Sequence, residues 1–399
     1  MVRVVRLAEV ATINPRKPVG LGAREAEQVP FLAMADVSTT GRYRLRETRA
    51  LAEVVEGYSH FAPGDVLLAK ITPCFENGKA AHVAELPTDI GFGSTEFHVL
   101  RPGPRIDARY LFHLVWSAGF RRAARVRMRG SAGQKRVPEA FLAGWSVVLP
   151  DLAEQRRRAR ILDTADALRH KRRQRVGLLT ALLDASFIER FGDPVLNPKR
   201  WPVLRFEQLC LDKPRNGLSP RRGGTHPGQV LTLDAITRGP FDARRCKAAR
   251  FGTAIPPAKR VSGADLLVCR GNGNSGLVGQ ARFPDHDHPE LVFPDTMIAA
   301  PIDLGRVTRA YLEQVWQGPG VRRQIEARAR TTNGIHKINQ ATLRSIELPL
   351  PPLAEQQAFA RVAGALGRAR ARTEAEAADA LFESLVERTH VELRARARA

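Results

Sequence analysis

The chain repeats itself at long range. Laid over its own second half at an offset of about 200 residues, it shows three matching stretches in one order, a period far longer than a solenoid repeat and therefore the mark of duplicated domains. Gly64-Asp65-Val66-Leu67-Leu68 answers Gly263-Ala264-Asp265-Leu266-Leu267, each a turn followed by an apolar run of strand length. Tyr110-Leu111 through Trp116 answers Tyr311-Leu312 through Trp316, and an arginine pair follows each, Arg121-Arg122 and Arg322-Arg323. Leu149-Pro150-Asp151-Leu152-Ala153-Glu154-Gln155 answers Leu350-Pro351-Pro352-Leu353-Ala354-Glu355-Gln356 almost letter for letter. At 399 residues the chain is long enough for two cores, so each copy is expected to be a domain.

Within each copy a strand-rich part punctuated by Gly and Pro precedes a helix of unusual length. No proline interrupts residues 151–193, and none follows Pro352, so each stretch can run as one helix of about 40 residues and about 60 Å. Ile161, Ala165 and Leu168, then Val176, Leu179 and Leu183, recur at the spacing of a single stripe. Val362, Leu366 and Ala369, then Ala378, Leu381 and Leu385, do the same in the second copy. The spacing predicts that the helices pack on each other as an antiparallel pair, the alternative being that each stripe packs on its own domain. Residues 192–202, rich in Gly, Asp, Asn and Pro, break the first helix and form a short ordered connector.

Bulk features narrow the setting. Lys and Arg outnumber Asp and Glu by 63 to 41, a formal net charge of +22, which favours a polyanionic partner, although an arginine-rich proteome gives the same sum. The runs Arg156-Arg157-Arg158 and Lys171-Arg172-Arg173 could touch phosphate, but such runs are more often solvated helix faces. No apolar run reaches membrane-span length and the first residues lack a signal peptide's apolar core, so a cytoplasmic protein is expected. The scattered Cys74, Cys210, Cys246 and Cys269 form no Cys-x-x-Cys pair and no histidine stands at zinc-finger spacing, so neither disulfide nor metal is expected.

Two sets of loop residues carry the chemistry of nucleic-acid reading. After the apolar strand of the first copy come Lys70, Thr72, Asn77 and Lys79, and after that of the second come Arg270, Asn272, Asn274 and Ser275. Arginine suits the O6 and N7 of guanine and asparagine pairs with adenine, while loop placement lets both enter a groove. A second cluster, with Lys135 and Arg136 in the first copy and Asn333, His336 and Lys337 in the second, stands at matching positions before the last strand.

The order Gly64-Asp65-Val66-Leu67-Leu68-Ala69-Lys70-Ile71-Thr72-Pro73, with Glu76-Asn77-Gly78-Lys79 and then Leu-Pro-x-Leu-Ala-Glu-Gln opening a helix, resembles the specificity subunits of Type I restriction-modification systems. Asn197-Pro198-Lys199 before Trp201 and Leu381-Phe382-Glu383-Ser384-Leu385 are similar to that family's inter-domain joint and second helix end. The resemblance implies an α+β chain: two duplicated mixed α/β target-recognition domains, residues 1–150 and 203–350, held apart in a pseudo-two-fold arrangement by two long antiparallel helices. Residues 151–192 would be the first spacer helix, 193–202 the connector, and 351–399 the second spacer helix with a basic tail. It further implies reading of a bipartite, asymmetric DNA site on behalf of methyltransferase subunits, and of restriction subunits where present. S-adenosylmethionine would bind the methyltransferase and not this chain. The change from Lys70-Ile71-Thr72 to Arg270-Gly271-Asn272 suits halves that read different sequences.

Catalytic motifs do not compete well. Gly271-Asn272-Gly273-Asn274-Ser275-Gly276 fits Gly-x-Gly-x-x-Gly, but residues 277–283 read as a strand where a dinucleotide loop opens a helix, so a hairpin loop is expected. There is no Gly-x-x-x-x-Gly-Lys-Ser/Thr phosphate loop, no His-Glu-x-x-His, and no Asn/Asp-Pro-Pro-Tyr/Phe tetrapeptide of amino-methyltransferases. Asp65 and Lys70 flank a strand as nuclease residues do, yet Leu68 stands where the second acid belongs. A DNA-processing enzyme with an unrecognised site and a stand-alone DNA-binding regulator are the remaining alternatives.

Overall fold

A computed structural model describes residues 3–131, 133–332 and 334–375. The chain divides into two compact units, one running to Arg173 and the other comprising Gln174–Ala375. In the first unit the opening strand Arg3–Arg6 pairs antiparallel with Ser146–Leu149, the strand that leads into the long helix, with Arg3 opposite Leu149. One four-stranded sheet runs in the order Ala11–Ile13, Phe97–Pro102, Val66–Ala69, Ala80–His82, and a second in the order Glu47–Ala50, Gln28–Leu32, Gly91–Gly93, Ser59–Phe61. The second unit has the same plan: Val203–Arg205 pairs with Glu347–Pro349, and its sheets follow Arg215–Asn216, Met297–Pro301, Asp265–Cys269, Ala281–Arg282 and Cys246–Phe251, His226–Leu231, His288–Val292, Arg260–Val261. Each unit even has one parallel pair at the same place, Gln28–Leu32 with Gly91–Gly93 and His226–Leu231 with His288–Val292. The duplication therefore holds in strand order and direction, well beyond the three matched stretches.

Those stretches are the parts that close each unit. The strands Val66–Ala69 and Asp265–Cys269 are buried along their whole length, which is why they read as unbroken apolar runs. Asp65, 1% exposed, is held bidentately by Arg101 at 2.7 and 2.9 Å, and the buried Asp265 by Arg215 from a different strand. A carboxylate in that setting needs such a partner. The aromatic letters of the second stretch are anchors with polar tips. The Tyr110 hydroxyl donates to the Val148 carbonyl at 3.0 Å and that of Tyr311 to Pro349 at 2.5 Å. Trp116 Nε1 donates to Gly78 O at 3.0 Å and Trp316 Nε1 to Gly279 O at 2.8 Å. Gly78 and Gly279 have φ of +80° and +81°, and a Cβ on Gly279 would meet Ile325 at 2.4 Å, so both closeness and conformation select glycine there.

The third stretch opens the long helices through its glutamine. Gln155, 0% exposed, accepts from Asp107 N at 2.8 Å and donates to Arg105 O at 3.0 Å and Pro150 O at 2.8 Å. Gln356, also 0% exposed, accepts from Thr308 N at 2.9 Å and donates to Pro351 O at 2.8 Å and Arg306 O at 3.4 Å. Asp107 and Thr308 in turn cap the helices Ala108–Trp116 and Arg309–Gln317, accepting from Tyr110 N and Tyr311 N. One side chain thus ties the start of each long helix to the start of the helix beneath it.

The first long helix runs unbroken over Leu152–Phe191, 40 residues, and the second over Leu353–Ala375 as far as it is described. Its first half packs on the first unit through Gln155, Ala159, Leu162, Ala165 and Arg169. Of the stripe expected there Ala165 packs on the unit, but Ile161 and Leu168 are 43% and 53% exposed, and Leu162 and Arg169 are buried in their stead. Apolar letters alone misplaced the face because polar Gln155 and Arg169 share it, the latter paired with Asp166 at 2.6 Å and stacked over Trp116. Within the second unit the two long helices do meet, antiparallel, with Arg190 on Glu355 at 2.6 Å and Phe187 on Phe359 with ring centroids 5.4 Å apart. Leu183 and Ala363 continue that contact region, while Ala378, Leu381 and Leu385 lie outside the described residues. The compact units divide inside the first helix, at Arg173, and the connector that follows counts with the second. There Asn197 brackets Trp201, donating to its carbonyl at 2.8 Å and accepting from its amide at 2.9 Å.

Asp163 on the long helix joins Arg109 and His113 of the helix Ala108–Trp116, with His113 Nε2 at 2.8 Å. Burial pushes His113 down, so the ring is neutral at pH 7 and the positive charge comes from Arg109. Burial of Asp163 works against ionisation, but the hydrogen bonds from His113 and Arg109 prevail and hold its carboxyl at about 2. A carboxylate depressed from 3.8 adds stability that is complete above about pH 5 and is lost as pH falls through 4 toward 2. Asp163→Asn is expected to flatten that part of the stability–pH curve and to cost about 1–2 kcal/mol at neutral pH, a value reduced for solvent screening of a side chain about a third exposed. Urea titrations of both proteins between pH 2.5 and 7 measure the difference.

Candidate nucleic-acid interface

At the end of the buried strand Asp265–Cys269 the chain passes through Arg270 into Gly271–Asn272, which pairs with Ile335–Lys337, itself paired with Arg330–Thr332. Gly271 and Arg330 both lie opposite Lys337. The first unit reproduces the arrangement with single bridges: Ile71 and Arg129 both lie opposite Arg136. Main-chain bonds fix the same register, Lys70 N to Glu96 O at 2.9 Å and Val137 N to Lys70 O at 2.9 Å, against Arg270 N to Thr296 O at 2.8 Å and Ile338 N to Arg270 O at 2.9 Å. Two loops about 65 residues apart in sequence are therefore side by side in each unit, at the end of a rigid buried strand. Arg270 takes the place of Lys70, Asn272 that of Thr72, His336 that of Lys135 and Lys337 that of Arg136.

The side chains at these places are engaged differently. In the first unit Lys70 is half-buried, Lys135 and Asn77 are exposed, and Thr72 donates to Glu76 at 2.9 Å. Arg136 grips Glu96 bidentately at 2.7 and 3.0 Å, and its hydrogen bonds hold the Glu96 carboxyl below the usual range. Lys79 is half-buried, its ammonium 2.7 Å from Met34 O, so it also braces the loop. In the second unit Arg270 donates to Asp295 O at 3.1 Å. Asn272 Oδ1 accepts from Asn274 N at 2.8 Å, and Asn274 Oδ1 from Gly276 N at 2.9 Å, so both shape the turn with their oxygens and keep their amide NH2 groups for other partners. His336 is half-buried, Lys337 is exposed, and Asn333 lies outside the described residues. Thr296 stands where the first unit has Glu96, and Lys337 forms no ion pair among the described residues.

The glycine-rich run Gly271–Gly276 leads into a single 3-10 turn, Ser275–Leu277, and then the two-residue strand Ala281–Arg282 on the sheet, shorter than the strand expected over 277–283. Asp65, paired with Arg101, is not available to a metal as a nuclease acid would be.

Arg129 and Arg330 stand in no recognised motif of the sequence. Both are exposed, Arg330 on the strand Arg330–Thr332 and Arg129 at the matching single bridge, and each stands seven residues before the basic residue it faces, Arg136 or Lys337. That shared spacing was the available signal.

No family model matches the sequence. The specificity subunit of the Escherichia coli Type I restriction enzyme EcoEI is 39% identical over 167 residues, 41% of this chain and 27% of that protein. The EcoKI specificity subunit of Escherichia coli strain K12 is 26% identical over 300 residues, 71% of this chain and 63% of that one. This chain is related to Type I specificity subunits. It matches less than two thirds of the length of these relatives. Solved specificity-subunit structures share the fold: the Type I S subunit of M. genitalium superposes with a TM-score of 0.56 at 10% identity, covering 97% of this chain and 95% of that one. A chain from a type I restriction-modification system, solved for its complex assembly and conformational transition, gives 0.50 at 21% identity, covering 97% of both. The mixed α+β fold with long helices is that of Type I specificity subunits. No helix among the described residues is long and apolar enough to cross a membrane.

Proposed function

We propose that the chain is the non-catalytic DNA-reading subunit of a cytoplasmic Type I restriction-modification complex. Residues 1–150 and 203–350 act as two target-recognition domains, each reading one half of a bipartite, asymmetric site. Residues 151–192 act as the first spacer helix and residues 351–399 supply the second with a basic tail, residues 376–399 lying outside those described, and methyltransferase subunits, with restriction subunits where present, are directed to the site. S-adenosylmethionine belongs to the methyltransferase. The observation that carries the reading is one loop scaffold, repeated in both units, that holds Lys70, Thr72, Lys135 and Arg136 in one and Arg270, Asn272, His336 and Lys337 in the other. A common frame with different donors is what reading two unlike half-sites requires. Asn77, Lys79, Asn274 and Asn333 extend the proposed contact set, and Arg129 and Arg330 add phosphate contacts.

Binding of the full chain to DNA is expected to weaken with salt, log K falling with log salt at a slope of about −0.9 for each phosphate contact. Arg270→Ala is expected to cost about 1–3 kcal/mol on cognate DNA and much less on scrambled DNA. Competition titrations with methyltransferase present measure both. Equal losses on the two DNAs would make Arg270 a phosphate contact, and a flat salt response would remove the electrostatic basis of the proposal. Cleavage or methylation by the purified chain alone would overturn it.

A further inference from the structure

The second unit carries a cluster of ligand-type side chains far from the reading loops. Between the strands Ala281–Arg282 and His288–Val292 the sequence is Phe283-Pro284-Asp285-His286-Asp287, and ligand atoms of Asp285, His286 and His288 all lie within 4.8 Å of one another. Among the described residues this is the one place where three such groups converge so closely. His288, 7% exposed, has Nε2 2.8 Å from Asp285 Oδ1 and Nδ1 3.2 Å from Glu290 Oε1. His286 Nδ1 lies 3.2 Å from Asp285 Oδ2, and the two imidazole centroids are 4.0 Å apart.

A neutral imidazole has one N–H, yet His288 faces a carboxylate at each nitrogen. One of those contacts therefore needs a second proton or a cation. Glu290 accepting from Nδ1–H leaves the Nε2 lone pair pointing at the Asp285 side, the arrangement in which a carboxylate behind a histidine orients it as a metal ligand. The loop itself is pinned: Asp287 Oδ1 accepts from Ser262 Oγ at 2.9 Å and Gly263 N at 2.7 Å. Asp285 and His286 are exposed, which leaves an entry path. Arg309, donating to the carbonyl of Pro284 at 3.1 Å, and Arg260, donating to that of Pro289, oppose a cation, but Asp285, Asp287 and Glu290 outnumber them locally within a chain of net charge +22. The corresponding loop of the first unit, residues 83–90, holds no histidine, and its Asp89 is paired with Arg24 at 2.6 Å.

We propose that Asp285, His286 and His288 form a site for a divalent transition metal of the zinc class, present in the second unit and not in the first. Two imidazole nitrogens and one carboxylate oxygen suit zinc with water as fourth ligand, whereas calcium and magnesium favour all-oxygen sites. Zinc-finger spacing rules pass over Asp-His-Asp-His, which is why no metal was expected from the sequence. The site adjoins Gly263, at the opposite end of the strand Asp265–Cys269 from Arg270, about 16 Å away along a five-residue strand. Its metal would fasten the loop and the adjoining sheet, away from DNA.

The test uses the full chain without an affinity tag, stripped with chelator and dialysed against zinc chloride, with bound metal measured by plasma mass spectrometry and cobalt substitution followed by absorption. About one equivalent of zinc and a tetrahedral cobalt spectrum are expected. His288 is buried, so His288→Ala could unfold the unit. Asp285→Asn combined with His286→Ala changes two exposed residues and is expected to lower affinity by about tenfold or more while circular dichroism is unchanged. Failure of the wild-type chain to take up zinc at tens of micromolar would overturn the proposal and leave His288 as an imidazolium between two carboxylates. Binding as tight in the double variant as in the wild type would overturn it equally, by placing the metal elsewhere.

Discussion

Replacing Gln356 with alanine is expected to destabilise the second unit by about 3–5 kcal/mol, near the upper end of what single substitutions do. The side chain is fully buried and serves three main-chain groups, the amide of Thr308 and the carbonyls of Pro351 and Arg306. Alanine leaves the Thr308 amide without its acceptor, and a buried group so deprived costs about 1–3 kcal/mol by itself. The two lost donations and the cavity add the rest. The damage does not stop there, because Thr308 caps the helix that carries Tyr311 and Trp316. Gln356→Glu is the sharper variant: it still accepts from Thr308 N but turns an oxygen toward two carbonyls and buries a charge, so it should be worse than alanine at pH 7 and improve as pH falls. Gln155→Ala should do the same to the first unit. Urea unfolding followed by tryptophan fluorescence reports on both units, since Trp116 and Trp145 lie in the first and Trp201 and Trp316 in the second, and each variant is expected to move only its own unit's transition. A loss below about 1 kcal/mol for both glutamines would mean that water or a shifted main chain takes over their bonds.

The importance of that glutamine was visible in the sequence as a repeated letter, but its reason was not. Leu-Pro-x-Leu-Ala-Glu-Gln reads as a proline-led helix start, and only the fold shows the glutamine reaching back to another helix's cap. Letters that recur because they complete a tertiary contact are legible as a pattern without being legible as physics. The Tyr and Trp pairs behave alike, their partners at Val148 and Gly78 lying about 38 residues away. The helix stripe shows the converse error. Periodicity weighs apolar letters and ignores a polar side chain that is buried because it is satisfied, so Gln155 and Arg169 moved the true face away from Ile161 and Leu168. Thr373 is a further case of a polar letter that is buried because it is satisfied: it is 6% exposed, with its hydroxyl donating to Ala369 O at 2.9 Å. In the loops, residue type and position were legible, but not direction. Nothing in the sequence distinguishes Lys135, which is exposed, from Lys79, whose ammonium lies on Met34 O.

Exchange of residues 203–349 for the corresponding segment of a relative with another specificity is expected to change one half of the methylated DNA motif and leave the other half as it was. The exchanged segment is bounded by strands that pair with each other, Val203–Arg205 with Glu347–Pro349, so both cuts fall at one closure of the unit and keep its internal bonds together. It carries Arg270, Asn272, His336 and Lys337 as a set, which matters because loops joined by main-chain bonds lose their register if only one is moved. The spacing between the half-sites should answer to the helices instead. Thr373 is unsuited to an insertion because it is buried, whereas Gly177 and Gly367 are exposed helix positions where a Cβ would meet nothing within 4 Å. Four residues inserted at both positions lengthen each helix by about 6 Å and turn it about 40° past a full turn, keeping most of each face in place. With stacked bases about 3.4 Å apart, the gap between half-sites should grow by up to roughly two base pairs. Co-expression with methyltransferase subunits and sequencing of methylated DNA reads both results. Active insertion variants that keep the original gap, together with exchanges that alter both halves at once, would show that the units do not read separately and that the helices set no distance.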